Sequence, residues 1–201
     1  DTGPSAFLES GPDVSGSVLT GTALTRSLDK RFMTLAGYNV SLGNATALQN
    51  TTAAAVPRAI VTIDSNGQIS MPVADTSTAY STAHFRGAVT DGTNNFWGSG
   101  SSSPGGTYYF GLNAPAAFVQ TVFANTRSVD IFNGDLYCLG SQTGANGLIK
   151  MTGLPTTDQG AVGNILTGFN NNNTTDFSVD STGNLVYLTV GSTVQRWSFG
   201  G

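Results

Sequence analysis

Charge, histidine and cysteine are all scarce in this 201-residue chain. Lys and Arg number eight, Asp and Glu twelve, and charged residues make up 10% of the sequence, against about a quarter in an ordinary soluble domain. The basic residues are scattered and the net charge is −4, so no basic stripe exists to neutralise a phosphate backbone. Nucleic acid is not an expected partner. One His and one Cys cannot furnish the usual zinc ligand set. Cys138 has no second cysteine to bond and lies in the apolar segment DLYCLG, where a buried, inert thiol is expected. His84 precedes a strand-like segment, and with no GxSxG elbow in the chain a Ser-His-Asp triad has no support. No apolar run approaches the ~20 residues of a membrane-spanning helix.

The carboxylates are equally uninformative as catalysts. Glu9 is the only glutamate. Most aspartates stand beside Gly, Asn or Ser, where the side chain hydrogen-bonds its own backbone in a turn. A glycosidase would need two of them across a groove at a defined separation, which spacing in sequence does not reveal. DSNGQ (64–68) and DSTGN (180–184) place oxygen ligands at alternating positions. Both break off before the acidic closing residue of a calcium loop, so turn geometry is the expected reading and no cofactor is assigned. The glycine-rich GSGSSSPGG (98–106) has no Lys or Arg and is read as a loop, not a phosphate cradle.

What the chain has in plenty is Ser, Thr, Asn and Gly, with 39% hydrophobic residues. That mixture is poor in helix formers and rich in strand and turn formers. It predicts an all-β protein. One pattern recurs: an apolar strand, a polar turn, a second apolar strand and a glycine. It is written as TALTRSLDKRFMTLAG (22–37), FRGAVTDGTNNFWGSG (85–100), RSVDIFNGDLYCLGS (127–141) and DFSVDSTGNLVYLTVG (176–191). Gly, Asn or Asp at the bend of alternating strands is the hairpin signal. RAIVTIDSNGQISMPV (58–73) adds a further hairpin, and GTYYFGL (106–112), AFVQTVF (117–123), GLIKMTGL (147–154), NILTGF (164–169) and STVQRWSF (192–199) add single strands.

The units, roughly 22–75, 80–123, 125–169 and 174–201, have the spacing of propeller blades. The expected fold is an all-β β-propeller of antiparallel four-stranded blades, about four visible here or part of a larger ring. A twisted sheet cannot cover both of its own faces, and side-by-side stacking lets each blade cover the next. Phe32, Phe96 or Trp97, Leu136 or Tyr137, and Val186 or Tyr187 occupy matching places and are read as blade-to-blade packing. The fourth unit supplies three strands, whereas residues 1–21 hold one unpartnered strand, SAFLES (5–10). That strand is expected to close or swap into a blade, within one molecule or between two; further blades beyond this stretch are the third arrangement.

The segments LTRSLDKRFMTLAGYNVSLG (24–43), VPRAIVTIDSNGQI (56–69), NTRSVDIFNGDLYCLGS (125–141), GLPTTDQG (153–160) and VQRWSFGG (194–201) resemble those of secreted microbial β-propeller proteins, a group largely without assigned function. The resemblance spans most of residues 20–201 and implies secretion. It transfers no catalytic residue, and its opening is longer than residues 1–19 provide, which leaves the blade number open.

Asn39, Asn44, Asn50, Asn172 and Asn173 each begin an N-glycosylation triplet, and with the low charge they point to a secreted or cell-surface glycoprotein. The expectation is a non-catalytic extracellular propeller serving as a structural, adhesive or self-assembling module, filaments included. Its partners would be copies of itself, through terminal strand exchange or surface packing, and glycans. The alternative is a carbohydrate-binding or carbohydrate-active propeller with Trp97, Tyr108, Tyr109 and Trp197 as sugar platforms.

Overall fold

The computed structural model describes residues 7–8, 23–41, 47–112, 114–142, 145–160, 162–166, 169–171, 173–180 and 182–199. These form four antiparallel sheets, taken in chain order, and one 3-10 turn at Leu48–Asn50. The first sheet holds β1 (Phe7–Leu8), β2 (Thr25–Arg26), β3 (Phe32–Asn39), β4 (Arg58–Asp64) and β5 (Ile69–Asp75). The second holds β6 (Phe85–Thr90), β7 (Asn95–Gly100), β8 (Thr107–Gly111) and β9 (Ala117–Phe118). The third holds β10 (Thr126–Phe132), β11 (Asp135–Gln142) and β12 (Ala145–Met151), and the fourth β13 (Thr174–Val179), β14 (Leu185–Val190) and β15 (Thr193–Ser198). Within each sheet, strands adjacent in sequence pair with one another, except that β1 and β2 both pair with β3.

Local chemistry sets the hairpins. Asn133 and Gly134 have φ of 50° and 80°, the left-handed pair that a two-residue turn needs to match the twist of its flanking strands. Phe132 then falls opposite Asp135 and Ile131 opposite Leu136. In the fourth sheet Asp180 does the equivalent work, its Oδ1 accepting the N–H groups of Asn184 and Leu185 at 3.0 and 2.9 Å.

Period-2 alternation then sends neighbouring residues into different cores. The buried side chains fall into three clusters, each drawn from two successive sheets. Phe96, Tyr108 and Phe110 pack with Ala36, Tyr38 and Ile60 of the first sheet. Trp97, one residue along from Phe96, packs with Leu136, Cys138, Ile149 and Met151 of the third. Tyr137, Leu139 and Leu148 point the other way, onto Phe177, Val186 and Leu188 of the fourth. The two middle sheets are therefore buried on both faces. Each large side chain so covered is worth about 1.5–3 kcal/mol. Of the residues at matching places, Phe96, Trp97, Leu136, Tyr137 and Val186 are buried, Phe32 is half-buried and Tyr187 is exposed.

Three differences from the sequence reading stand out, the first two with side-chain causes. The run 117–123 is a strand only at Ala117–Phe118, because buried Gln120 turns back on Phe123, accepting its N–H and donating to its carbonyl at 2.8 Å each. The segment 164–169 supplies one bridge, Asn164 to Ile149. There the Asn164 amide stands in for a strand: its oxygen accepts from Leu148 and Leu166 and its nitrogen donates to the Asn146 carbonyl. Finally, Phe7 and Leu8 pair with Asn39 and Tyr38 of β3. They join the first sheet and do not supply a fourth strand beside β15.

Candidate functional site

The second, third and fourth sheets each meet the preceding sheet along their first strand. β2 runs beside β6, joined by a parallel bridge between Ala23 and Gly87, the Thr25 hydroxyl on the Ala88 carbonyl at 2.5 Å and the Leu28 N–H on the Thr90 carbonyl at 3.0 Å. β6 in turn lies against β10, and β10 against β13. The result is a polar seam through an otherwise apolar molecule. Thr25, Ser27, Arg86, Thr90, Thr126, Ser128 and Thr174 are all buried along it.

The first strands of the second, third and fourth sheets share an irregularity. Pairing slips between Phe85 and Gly87, between Thr126 and Ser128, and between Thr174 and Phe177. A bulge leaves a residue outside the ladder and re-aims its side chain. The residues so released are Arg86, Arg127 and the pair Thr175–Asp176. Arg86 donates from Nη1 to Asn125 Oδ1 at 2.7 Å and to the Thr126 carbonyl at 3.1 Å. Burial, and then repulsion from Arg127, lower its pKa to about 9; burial alone lowers that of Arg127.

Further along, Asp130 of β10 and Asp176 of β13 come close enough to repel each other. Burial, with a smaller push from Asp176, raises the Asp130 carboxyl to about 6 despite the Ile131 N–H it accepts at 2.8 Å. Asp176 accepts the Phe177 N–H at 2.9 Å and is also raised. No spacing in the sequence pairs these two, which are brought together only by the stacking of β10 on β13.

The aromatic candidates separate. Trp97 is 1% exposed and Tyr108 5%, so neither ring has a face for a sugar to stack on; both are packing residues. Tyr109 is half-buried against Trp97, its hydroxyl on Asn95 Oδ1 at 2.7 Å. Trp197 lies edge-on to Phe169 at the rim of the third cluster. Tyr108 nonetheless borders a cavity of about 470 Å³ with Pro104, Phe118, Thr157 and Asp158. A second, of about 410 Å³, opens between Pro72–Ser77 and Phe110–Pro115. Neither touches the seam.

Among the glycosylation candidates, Asn50 and Asn173 are exposed and Asn39 ends β3 half-buried, whereas Asn44 and Asn172 lie outside the described residues. Cys138 is fully buried and its thiol is pushed up to about 12 by that burial. His84 sits just ahead of β6, its carbonyl accepting the Ser101 N–H. Among the described residues no group of three or more His, Cys, Asp or Glu side chains is placed to hold a metal ion. Asp64 is engaged in its turn, accepting from Asn66 and Gln68. No described helix is long and apolar enough to cross a membrane.

One edge is bare. Among the described residues β15 has β14 on one side and nothing on the other, and Val194 on it is 69% exposed. Compared with known proteins, the chain matches no family model and no curated protein.

Proposed function

We propose that this chain is a non-catalytic extracellular β-propeller module that assembles with copies of itself. The bare edge of β15 carries the reading. An unpaired strand presents a row of N–H and C=O groups that accept a strand from another chain. The propeller arrangement is supported by successive first strands lying side by side and by cores confined to the gaps between neighbouring sheets. Secretion is supported by the exposed sequon residues Asn50 and Asn173.

The test is Val194→Lys, which puts a charge on the open edge while leaving the core alone. Wild type is expected to sediment as oligomers and the variant as monomer, with the same β-sheet circular dichroism. Monomeric wild type, or a variant that still assembles, refutes edge pairing. A second reading, sugar binding, is favoured by the cavity at Tyr108, whose lining mixes aromatic and polar groups. A glycan array probed with wild type and Asp158→Ala separates it from the first, since a scaffold gives no signal in either.

A further inference from the structure

The seam holds two cations with no counter-ion. Arg86 is 4% exposed and its Nε is buried without a partner; the Nε of Arg127 is likewise buried and unpartnered. The two ion pairs among the described residues, Arg31 with Asp29 and Lys150 with Asp135, lie elsewhere. Asp130 and Asp176 do not substitute: burial, the Ile131 N–H and Asp176 set the state of Asp130, burial, the Phe177 N–H and the Ser128 side chain set that of Asp176, and no arginine enters. The nearby hydroxyls of Tyr38 and Tyr80 are neutral at physiological pH. Buried charge of one sign without compensation costs several kcal/mol.

The two guanidiniums are also placed together by construction. Each stands at the bulge of its strand, on β6 and β10, which are neighbours. Arg86 is anchored through Nη1 on the two residues that precede Arg127, and the Ser99 hydroxyl of β7 reaches the Arg127 carbonyl at 3.4 Å. A guanidinium carries five N–H donors in a planar fork suited to carboxylate, sulfate or phosphate oxygens. Arg86 spends two contacts of one nitrogen on the protein and keeps the rest.

We propose that Arg86 and Arg127 form an oxyanion site, taking a sulfate or carboxylate group between them. A free anion and the acidic group of a polysaccharide share this chemistry. Arg127 contributes only to binding, whereas Arg86 also ties β6 to β10. Removing Arg127 therefore relieves repulsion in the empty protein and abolishes the site.

Sodium sulfate and a hexuronate disaccharide, each titrated against sodium chloride of equal ionic strength, test this by calorimetry and by thermal melting. In wild type the calorimetric isotherm should saturate, and the melting temperature should rise with the logarithm of ligand concentration above the same Kd. Arg127→Gln should melt higher than wild type in chloride, and its sulfate affinity should fall about tenfold or more, the loss of one charge-assisted hydrogen bond. Arg86→Lys, which keeps the charge but loses the fork, should also weaken binding. Stronger binding of the disaccharide than of sulfate assigns the site to an acidic glycan; the reverse assigns it to a free anion. A calorimetric sulfate isotherm that does not saturate, or a stabilisation equal in Arg127→Gln, is a general salt effect and overturns the proposal, as does no binding of either probe. A failure of β15 pairing leaves this result untouched.

Discussion

The indole N–H of Trp97 donates to the carbonyl of Pro155 at 2.6 Å, a bond from the second sheet to the loop after β12 and across 58 residues. Trp97 is thus a pin: its ring fills the core between the second and third sheets, and its one polar atom is satisfied by the loop that follows β12.

Trp97→Phe keeps most of the ring but strands the Pro155 carbonyl. A buried acceptor left unpaired costs about 1–3 kcal/mol, with a smaller loss from the volume removed. Urea unfolding followed by the remaining Trp197 should show a midpoint lowered by that free energy divided by the slope m, with the slope itself unchanged. An unchanged midpoint would mean the indole bond contributes nothing.

Arg58 is fully buried and caps three carbonyls: Nε donates to Tyr80 at 2.9 Å, Nη1 to Val56 at 2.8 Å and Nη2 to Thr51 at 2.6 Å. It also stacks over the Tyr38 ring at 4.9 Å. Lysine has a single ammonium and no plane, so it cannot serve three acceptors in fixed directions. Arg58→Lys should therefore destabilise by about 3–5 kcal/mol, as thermal melting would report. A charge-only role would leave the lysine variant close to wild type.

Asp130 makes stability depend on pH with an unusual sign. Its carboxyl titrates near 6 in the folded protein and near 3.9 when unfolded. Between those values the folded state holds the extra proton, so stability falls as pH rises from about 4 to about 6 and stays low above it. Asp176, raised also, acts in the same sense. Asp29, Asp64, Asp135 and Asp180 are lowered and act in the opposite sense, but only below about pH 4. Asp130→Asn should flatten the slope between pH 4 and 6 and stabilise the protein at pH 7 by on the order of 1–3 kcal/mol. A wild type that gains stability from pH 5 to 7, with the variant following it, would be incompatible with a buried carboxyl.

Cys138 should be silent in the native state. Its thiol is fully enclosed and held near 12, and only the thiolate reacts. A disulfide reagent should label it at the rate of unfolding, rising with urea, whereas immediate labelling in buffer would contradict the burial.

The sequence by itself determined the local grammar. Asn133-Gly134 fixes a turn through its positive φ angles, and alternation along Phe96-Trp97 and Leu136-Tyr137 requires sheets buried on both faces, whichever neighbours cover them. Those are short-range consequences of backbone sterics and side-chain period. Only the tertiary structure decided how far each strand runs, because side chains such as Gln120 and Asn164 compete with the backbone for its partners. It also decided which first strands touch. Arg86 and Arg127 lie 41 residues apart and Asp130 and Asp176 46 apart, so neither pairing has a spacing to betray it. Each exists because sheet stacking brings the strands face to face, with bulges re-aiming Arg86, Arg127 and Asp176.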